Sequence, residues 1–129
     1  MIRVGVIGST GYAGAELVRI LTGHPKVELT RLTSRQYEGQ PYSRIYPCFK
    51  GVVGLTCQGY DVKTMAQDTD VVFTALPHKL PMEVVPGLIE KGKKVVDLSA
   101  DFRFDDADTY EAHYQPHTAR DLLDQAVYG

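Results

Sequence analysis

The sequence predicts an α/β fold built on a doubly wound, mostly parallel sheet. Strand-like apolar runs alternate with helical patterns along the chain, which is the order that places helices on a parallel sheet. These runs are nearly continuous in apolar and β-branched residues, as expected for strands that are covered on both faces. The first strand, helix and second strand fit within about 30 residues, the usual length of a βαβ unit. With 129 residues, the chain has the length of one domain with one core.

The first βαβ unit is the clearest part of the sequence. Ile2–Ile7 is an apolar run and is predicted as the first strand. Tyr12–Thr22 follows a helical pattern, and Gly23 and Pro25 supply its stop. Val27–Leu32 is predicted as the second strand. The crossover between two such parallel strands is right-handed in nearly all proteins.

Beyond the second strand the predicted elements are shorter. Thr33–Val53 holds several glycines, prolines and tyrosines and is predicted to be irregular. The elements predicted after it are a short strand at Leu55–Cys57, a helix at Asp61–Gln67 capped by Asp61, a strand at Val71–Ala75, a helix at Pro81–Lys91 followed by Gly92, a strand at Val95–Leu98, a helix at Thr118–Asp124 and a strand at Ala126–Tyr128. The alternation therefore continues to the end of the sequence.

Composition and charge exclude several classes of function. Hydrophobic residues make up 43% of the chain and charged residues 23%, which predicts a folded domain rather than a disordered one. The apolar runs are far shorter than the ~18 residues of a membrane span, and no signal-peptide pattern follows Met1, so we expect a cytoplasmic protein. Residues 1–50 carry seven basic and three acidic side chains, whereas residues 97–129 carry two basic and eight acidic side chains. This balance argues against nucleic-acid binding and lets the first segment hold an anionic small molecule, although ordinary scatter of surface charge gives the same pattern.

The cysteines and histidines predict no metal site. The spacing of Cys48 and Cys57 matches no zinc or thioredoxin pattern, which favours two reduced thiols over a disulfide. His113 and His117 are four residues apart, but Pro116 interrupts the helix that would align them on a metal. We therefore expect these histidines to lie on the surface without a ligand.

A glycine-rich turn follows the first strand directly. Its residues are Gly8, Ser9, Thr10, Gly11, Tyr12, Ala13 and Gly14. In such a turn the first glycine permits a tight reversal, the second lets backbone N–H groups approach a pyrophosphate, and the third allows close packing of helix on strand. The helix N-terminus adds about half a positive charge, and Ser9 and Thr10 add hydroxyl donors. The position between a buried strand and a helix favours dinucleotide binding in a Rossmann-type sheet over a plain turn.

The end of the second strand predicts which dinucleotide binds. Proteins that prefer NAD usually place Asp or Glu there for the ribose 2′-hydroxyl, and that charge would repel a 2′-phosphate. In this sequence Ser34 can donate to a phosphate, Arg35 can bind one with its forked guanidinium, and the first carboxylate is that of Glu38. The pattern favours NADP, although an arginine after a strand is also common by chance.

Four motifs together resemble one family. They are Gly8–Gly14, Ala75–His78, Asp97–Arg103 and Ala126–Gly129, and in them the sequence is similar to the N-acetyl-γ-glutamyl-phosphate reductases, NADPH-dependent enzymes of arginine biosynthesis. The first motif is shared with many Rossmann proteins, including the related aspartate-semialdehyde dehydrogenases. The second and third motifs in combination are much more specific. The resemblance covers essentially the whole chain.

The resemblance implies reduction of an acyl phosphate to an aldehyde. In this family a cysteine thiolate displaces phosphate from N-acetyl-glutamyl 5-phosphate, and hydride from NADPH reduces the resulting thioester to N-acetyl-glutamate 5-semialdehyde. The reverse reaction oxidises the semialdehyde in the presence of phosphate and uses the same groups. The resemblance thus implies two ligands, a nicotinamide dinucleotide and an acyl phosphate.

The resemblance also assigns roles by position in this sequence. The glycine-rich turn would hold the pyrophosphate, and Ser34 and Arg35 would hold the 2′-phosphate. The other expected contacts are Ala75, Leu76, Pro77 and His78 along the cofactor, Ser99 near the nicotinamide end, and Arg103 on the substrate phosphate. Two alternatives stay open, because His78 can simply orient its loop and Arg103 can pair with the acidic residues that follow it.

The sequence departs from the family at the catalytic residues. The family's cysteine lies in a Gly-Cys-Tyr-Pro-type motif and its general acid/base histidine lies farther along the chain, and neither motif occurs here. We therefore expect residues 1–129 to be the NADP-binding domain, cut before the catalytic and dimerisation domain, inactive alone and homo-oligomeric in the longer protein. A stand-alone dinucleotide-binding or sensing module and the NADP domain of an aspartate-semialdehyde dehydrogenase relative are the alternatives.

Overall fold

The computed structural model describes residues 1–76 and 80–98. Their elements are, in chain order, β1 (Ile2–Ile7), α1 (Tyr12–Thr22), β2 (Val27–Thr33), α2 (Tyr42–Ile45), a 3₁₀ helix (Pro47–Phe49), α3 (Val62–Asp68), β3 (Val71–Thr74), α4 (Leu80–Glu90) and β4 (Lys94–Asp97). The helix predicted at Thr118–Asp124 and the strand predicted at Ala126–Tyr128 lie outside the described residues.

The strands of this part of the chain form one sheet in the order β2-β1-β3-β4. β1 pairs with β2 and with β3, and β3 pairs with β4, all in parallel. The predicted doubly wound parallel sheet is therefore confirmed. Because the chain moves outward from β1 to β2 and then returns to β3 on the other side, the order changes direction between β1 and β3. Open α/β sheets bind ligands at such a point, outside the carboxyl ends of the strands.

Apolar side chains pack on both faces of the sheet, which explains the continuous apolar run of β1. One cluster of buried residues contains Val4 and Val6 of β1 together with Val18, Leu21, Leu32 and Tyr42. A second cluster contains Ile7 of β1 together with Met65, Val72 and Leu88. Since successive strand residues point to opposite faces, a strand that contributes to two clusters cannot alternate apolar and polar residues.

Most predicted elements are confirmed to within one residue of their bounds. β2 ends at Thr33 rather than Leu32, β3 ends one residue earlier than predicted, and α4 and β4 each lie one residue earlier. Asp61 precedes α3 and accepts a hydrogen bond from the Thr64 backbone N–H at 3.3 Å, so the predicted cap is confirmed. Local patterns and cap chemistry are sufficient to place these elements.

Two predictions between β2 and α3 are wrong. Thr33–Val53 is not wholly irregular, because it contains α2 and the 3₁₀ helix. Leu55–Cys57 is not a strand: Gln58 forms one bridge with the end of β2, and Thr56 forms one bridge with Pro41. The segment meets β2 only at that strand's last residue, Thr33, so each neighbour contributes a single bridge and no ladder forms.

Candidate functional site

The glycine-rich turn lies at the carboxyl end of β1, against the carboxyl ends of both neighbouring strands. Gly8 has a φ of +80°, a left-handed backbone conformation that other residues rarely adopt. A Cβ atom on Gly8 would lie 2.6 Å from the carbonyl oxygen of Ala75, the residue after β3. Ala75 in turn donates its N–H to the Ile7 carbonyl at 2.9 Å. The turn therefore needs glycine at its first position to rest on the end of β3.

The other two glycines of the turn differ in what surrounds them. A Cβ atom on Gly14 would lie 2.2 Å from the Gly8 carbonyl oxygen, so this glycine lets α1 pack directly on the turn. A Cβ atom on Gly11 would meet nothing closer than 4.0 Å, and Gly11 is exposed. Gly8 and Gly14 thus fit a tight reversal and close packing, and the open space at Gly11 fits the close approach of a ligand to the backbone.

Backbone N–H groups converge on this open space. Within the described residues, the N–H groups of Thr10 and Gly11 have no hydrogen-bond partner. The first N–H groups of α1 have no carbonyl one turn earlier to bind, and the first turn of α1 carries no acidic residue. The helix N-terminus adds a partial positive charge at the same place. The donor set therefore fits the acceptor oxygens and negative charge of a pyrophosphate.

The prediction that the Ser9 hydroxyl is available to a ligand is wrong. Its side chain is completely buried, and its Oγ donates to the Thr33 carbonyl oxygen at 2.9 Å. The Ser9 backbone N–H donates to the same oxygen at 3.0 Å. Both donors satisfy the last carbonyl of β2, which would otherwise be buried without a partner. Ser9 therefore ties the turn to β2 and presents no free hydroxyl donor.

The hydroxyl groups of Thr10 and Ser34 join the turn to the residue after β2. Their oxygens lie 2.8 Å apart, and the Tyr37 N–H donates to the Ser34 Oγ at 3.2 Å. When Thr10 donates to Ser34, the Ser34 oxygen accepts two hydrogen bonds and keeps its own proton for a third partner. The structure thus brings together two residues that the sequence separates by 24 positions.

Arg35 is an exposed cation directly after this hydroxyl pair. Among the described residues, Arg3, Arg19 and Arg31 each form an ion pair with a carboxylate, whereas none is found for Arg35. The nearest acidic residue along the chain, Glu38, has its carboxylate beside Gly59. The carboxyl end of β2 therefore presents hydroxyl and guanidinium donors and no acidic residue before Glu38.

Tyr42 and Tyr46 belong to the site and were not predicted from the sequence. The Tyr42 hydroxyl donates to the Ser9 carbonyl at 2.7 Å, and the Tyr46 hydroxyl donates to the Thr10 carbonyl at 2.5 Å. Two signals could have found them: aromatic residues at positions 42, 46 and 49 have helical spacing, and a proline precedes the first of them. The segment that looked irregular therefore supports the glycine-rich turn.

The end of β3 continues the same edge of the sheet. Ala75 and Leu76 are partly buried beside Gly8, and the Leu98 N–H donates to the Thr74 carbonyl at 3.0 Å. The Thr74 hydroxyl donates to a carboxylate oxygen of Asp97 at 2.8 Å, which links the ends of β3 and β4. The other predicted site residues, Pro77, His78, Ser99 and Arg103, lie outside the described residues.

The two cysteines are not joined to each other and lie in different environments. Cys48 is exposed on the 3₁₀ helix. Cys57 is completely buried, and this burial raises the pKa of its thiol more than a hydrogen bond with Ser9 lowers it. A buried neutral thiol is a poor nucleophile.

Residues 1–76 and 80–98 contain no group of three or more His, Cys, Asp or Glu side chains placed to hold a metal ion. The helices of the same residues are all too short or too polar to cross a membrane.

A parallel sheet with a glycine-rich turn at its switch point defines a dinucleotide-binding domain of the Rossmann type. Residues 3–129 match the family described as "Semialdehyde dehydrogenase, NAD binding domain", and the chain belongs to this family. Over its whole length it is 55% identical to the N-acetyl-gamma-glutamyl-phosphate reductase of Desulforudis audaxviator and 52% identical to that of Desulforapulum autotrophicum. The chain spans 38% and 37% of the length of these relatives, respectively.

Solved structures give the same fold. Aspartate semialdehyde dehydrogenase from Candida albicans, crystallised with NADP, superimposes with a TM-score of 0.72 at 22% identity, over 83% of this chain and 32% of that one. A 3-ketoreductase from Actinomadura kijaniata in complex with NADP superimposes with a TM-score of 0.56 at 28% identity, over 74% of this chain and 29% of that one. These similarities support the Rossmann-type architecture.

Proposed function

We propose that this protein binds NADPH in preference to NADH, as the cofactor domain of an N-acetyl-γ-glutamyl-phosphate reductase. The observation that carries the proposal is the end of β2, where Thr10 and Ser34 pair their hydroxyls and Arg35 is exposed. A 2′-phosphate is an acceptor with up to two negative charges, and a guanidinium can bind it with two parallel hydrogen bonds. The 2′-hydroxyl of NADH offers neither charge nor the same number of acceptors.

The remaining contacts follow from the geometry of the turn. The N–H groups of Thr10, Gly11, Tyr12 and Ala13 would bind the pyrophosphate, and Gly14 would keep α1 close enough for them to reach it. Ser9 contributes by fixing the turn to β2. Ala75 and Leu76 would lie along the cofactor toward its nicotinamide. When bound, the nicotinamide supplies the hydride for reduction of a substrate carbonyl.

The reaction that we propose for the longer protein converts an acyl phosphate, NADPH and a proton into an aldehyde, NADP⁺ and phosphate. The identities of 55% and 52% to two reductases over the whole chain support this substrate class. We place the thiolate nucleophile outside residues 1–129, because Cys57 is buried and neither cysteine lies in the Gly-Cys-Tyr-Pro-type motif that the resemblance implies. Pro77, His78 and Ser99 near the cofactor, Arg103 on the substrate phosphate, homo-oligomeric assembly and a cytoplasmic location stay parts of this proposal.

The experiment that tests the cofactor preference is a pair of equilibrium titrations with NADPH and NADH. Arg35→Ala removes the proposed charge-assisted contact, so we expect NADPH binding to weaken about 10- to 100-fold and NADH binding to stay nearly unchanged. Lys63→Ala is the matched control, because it removes one exposed cation from α3 rather than from the end of β2. Equal losses for NADPH and NADH in Arg35→Ala would contradict the assignment of Arg35 to the 2′-phosphate.

A further inference from the structure

Two tyrosine hydroxyls hold consecutive carbonyl groups of the glycine-rich turn. Tyr42 donates to the Ser9 carbonyl at 2.7 Å and Tyr46 donates to the Thr10 carbonyl at 2.5 Å. Their rings pack with each other and with Phe49, with centroid separations of 5.5 Å for Tyr42–Tyr46 and Tyr42–Phe49 and 6.4 Å for Tyr46–Phe49. We call Tyr42 and Tyr46 the tyrosine brace.

The local fold explains why both hydroxyls reach the turn. Tyr42 and Tyr46 are four positions apart, so the single turn of α2 and the cap that follows it place them on one side. The Tyr42 N–H donates to the Leu55 carbonyl at 2.9 Å, and this bond fixes α2 to the segment beside β2. The aromatic rings fill the space between α2 and the turn, and Tyr42 is completely buried.

Because the peptide bond is planar, these two hydrogen bonds also fix the directions of two N–H groups. In a trans peptide the C=O and the following N–H point in opposite directions. The hydrogen bond to the Ser9 carbonyl therefore sets the direction of the Thr10 N–H, and the bond to the Thr10 carbonyl sets that of the Gly11 N–H. Within the described residues neither N–H has a partner, so each points away from the brace with its hydrogen-bonding capacity unused.

We propose that Tyr42 and Tyr46 are positioning residues that aim the Thr10 and Gly11 N–H groups at the pyrophosphate of the dinucleotide. This inference rests on the proposed function and adds to it a role for the segment between β2 and α3. The brace acts on the part of the cofactor that NADPH and NADH share. It is therefore separate from Arg35, which acts on the 2′-phosphate.

Two physical effects support the brace. A hydrogen bond donated to a carbonyl polarises the whole amide, so the N–H of the same peptide becomes a stronger donor. The hydroxyls also stay protonated over the physiological range, since the ordinary tyrosine pKa is about 10 and burial raises the pKa of both Tyr42 and Tyr46 above it. Neighbouring tyrosines raise these pKa values further. Tyr46 raises the pKa of Tyr42, and Tyr12 and Tyr37 raise the pKa of Tyr46.

The test compares Tyr46→Phe with the unmodified protein in titrations with NADPH and with NADH. Tyr46 is chosen because it is only partly buried, whereas Tyr42 is part of the core. Loss of one neutral hydrogen bond and its polarising effect is expected to weaken both ligands by the same factor, about three- to tenfold. In the ligand-free protein, the amide proton resonance of Gly11 should also move upfield in Tyr46→Phe, since the Thr10–Gly11 peptide loses its carbonyl partner.

The control is Tyr60→Phe, which removes the same atom from a tyrosine whose hydroxyl has no hydrogen-bond partner among the described residues. It should leave both affinities and the Gly11 resonance unchanged. A loss confined to NADPH in Tyr46→Phe would place Tyr46 at the 2′-phosphate and overturn the inference, as would unchanged affinity for both ligands. Failure of the unmodified protein to bind either dinucleotide would instead reject the proposed function, and the brace with it.

Discussion

The two ends of the sheet use their polar groups in different ways. At the amino end, Arg3 and Asp70 form an ion pair at 3.1 Å, and Asp70 also accepts from the Arg3 backbone N–H at 3.0 Å. At the carboxyl end, Arg35 is exposed without a carboxylate partner among the described residues, and the same residues provide no partner for the N–H groups of Thr10 and Gly11. The Arg3–Asp70 pair at the amino end satisfies its own charges, whereas the carboxyl end presents donors outward.

This difference shows how the fold separates stability from binding. At the carboxyl end the carbonyl oxygens of the turn are bound by tyrosine hydroxyls, and Ser9 is bound to β2, so the turn is held in one conformation. Among the residues that the structure describes, the N–H groups of Thr10 and Gly11 are left without internal partners. A donor set that is fixed before the ligand arrives loses less conformational entropy on binding.

The largest effect is expected from a substitution that forces the turn away from β3. Gly8 and Gly51 both have a φ of +80°, but a Cβ atom on Gly8 would lie 2.6 Å from the Ala75 carbonyl, whereas a Cβ atom on Gly51 would meet nothing within 4 Å. We expect Gly51→Ala to lower the free energy of unfolding by about 1–2 kcal/mol through backbone strain alone. Gly8→Ala adds an overpacking cost of roughly 1–3 kcal/mol and should abolish dinucleotide binding.

Urea denaturation and NADPH titration of both variants measure these effects. Gly51→Ala should keep the affinity of the unmodified protein, because its strain lies outside the turn. Equal losses of stability in the two variants would show that the contact between Gly8 and the end of β3 is unimportant. If a folded Gly8→Ala variant kept the NADPH affinity of the unmodified protein, the glycine-rich turn would not be part of the binding site.

The smallest effect is expected from a substitution at the amino end of the sheet. Asp70→Asn removes the charge that Arg3 binds, and because both side chains are well exposed, the midpoint of urea denaturation should fall only slightly. NADPH affinity should not change. A fall in affinity as large as that of Arg35→Ala would contradict the functional separation of the two ends.

The ion pair between Arg3 and Asp70 is expected to stabilise the protein at neutral pH and not in acid. The hydrogen bond from Arg3 lowers the pKa of Asp70 below its usual value, so the pair contributes stability at neutral pH. That contribution is lost as the pH falls through the lowered pKa, below about 4. The difference in stability between the unmodified protein and Asp70→Asn should therefore disappear in acid. A difference that persists there would assign the effect to packing rather than charge.

Local sequence patterns predicted the elements whose cause is local. The apolar run of β1, the cap at Asp61 and the glycine at position 14 each carry their structural reason within a few residues, and the structure places them as expected. The strand predicted at Leu55–Cys57 failed because a strand also needs a partner, and its neighbours offer one bridge each. Strand propensity alone contains no information about that partner.

The parts of the site that sequence reasoning missed depend on distant contacts. Tyr42 reaches a carbonyl 33 positions away, and Tyr46 reaches one 36 positions away. The Ser9 hydroxyl was expected to face a ligand, but it binds Thr33, 24 positions along the chain. The aromatic residues at positions 42, 46 and 49 have helical spacing, but a helix of four residues such as α2 gives too short a pattern to distinguish it from a loop. Residue type could suggest hydroxyl donors, and only the fold could show which of them are already used.

The most direct measurement is an amide ¹H–¹⁵N correlation spectrum recorded during titration with NADPH. We expect the largest shifts at Thr10, Gly11 and Arg35, because their N–H groups or side chains would contact the pyrophosphate and the 2′-phosphate. The amides of Arg3 and Asp70 should stay in place. Shifts concentrated at the amino end of the sheet, or a spectrum that NADPH leaves unchanged, would contradict the assignment of the carboxyl end as the cofactor site.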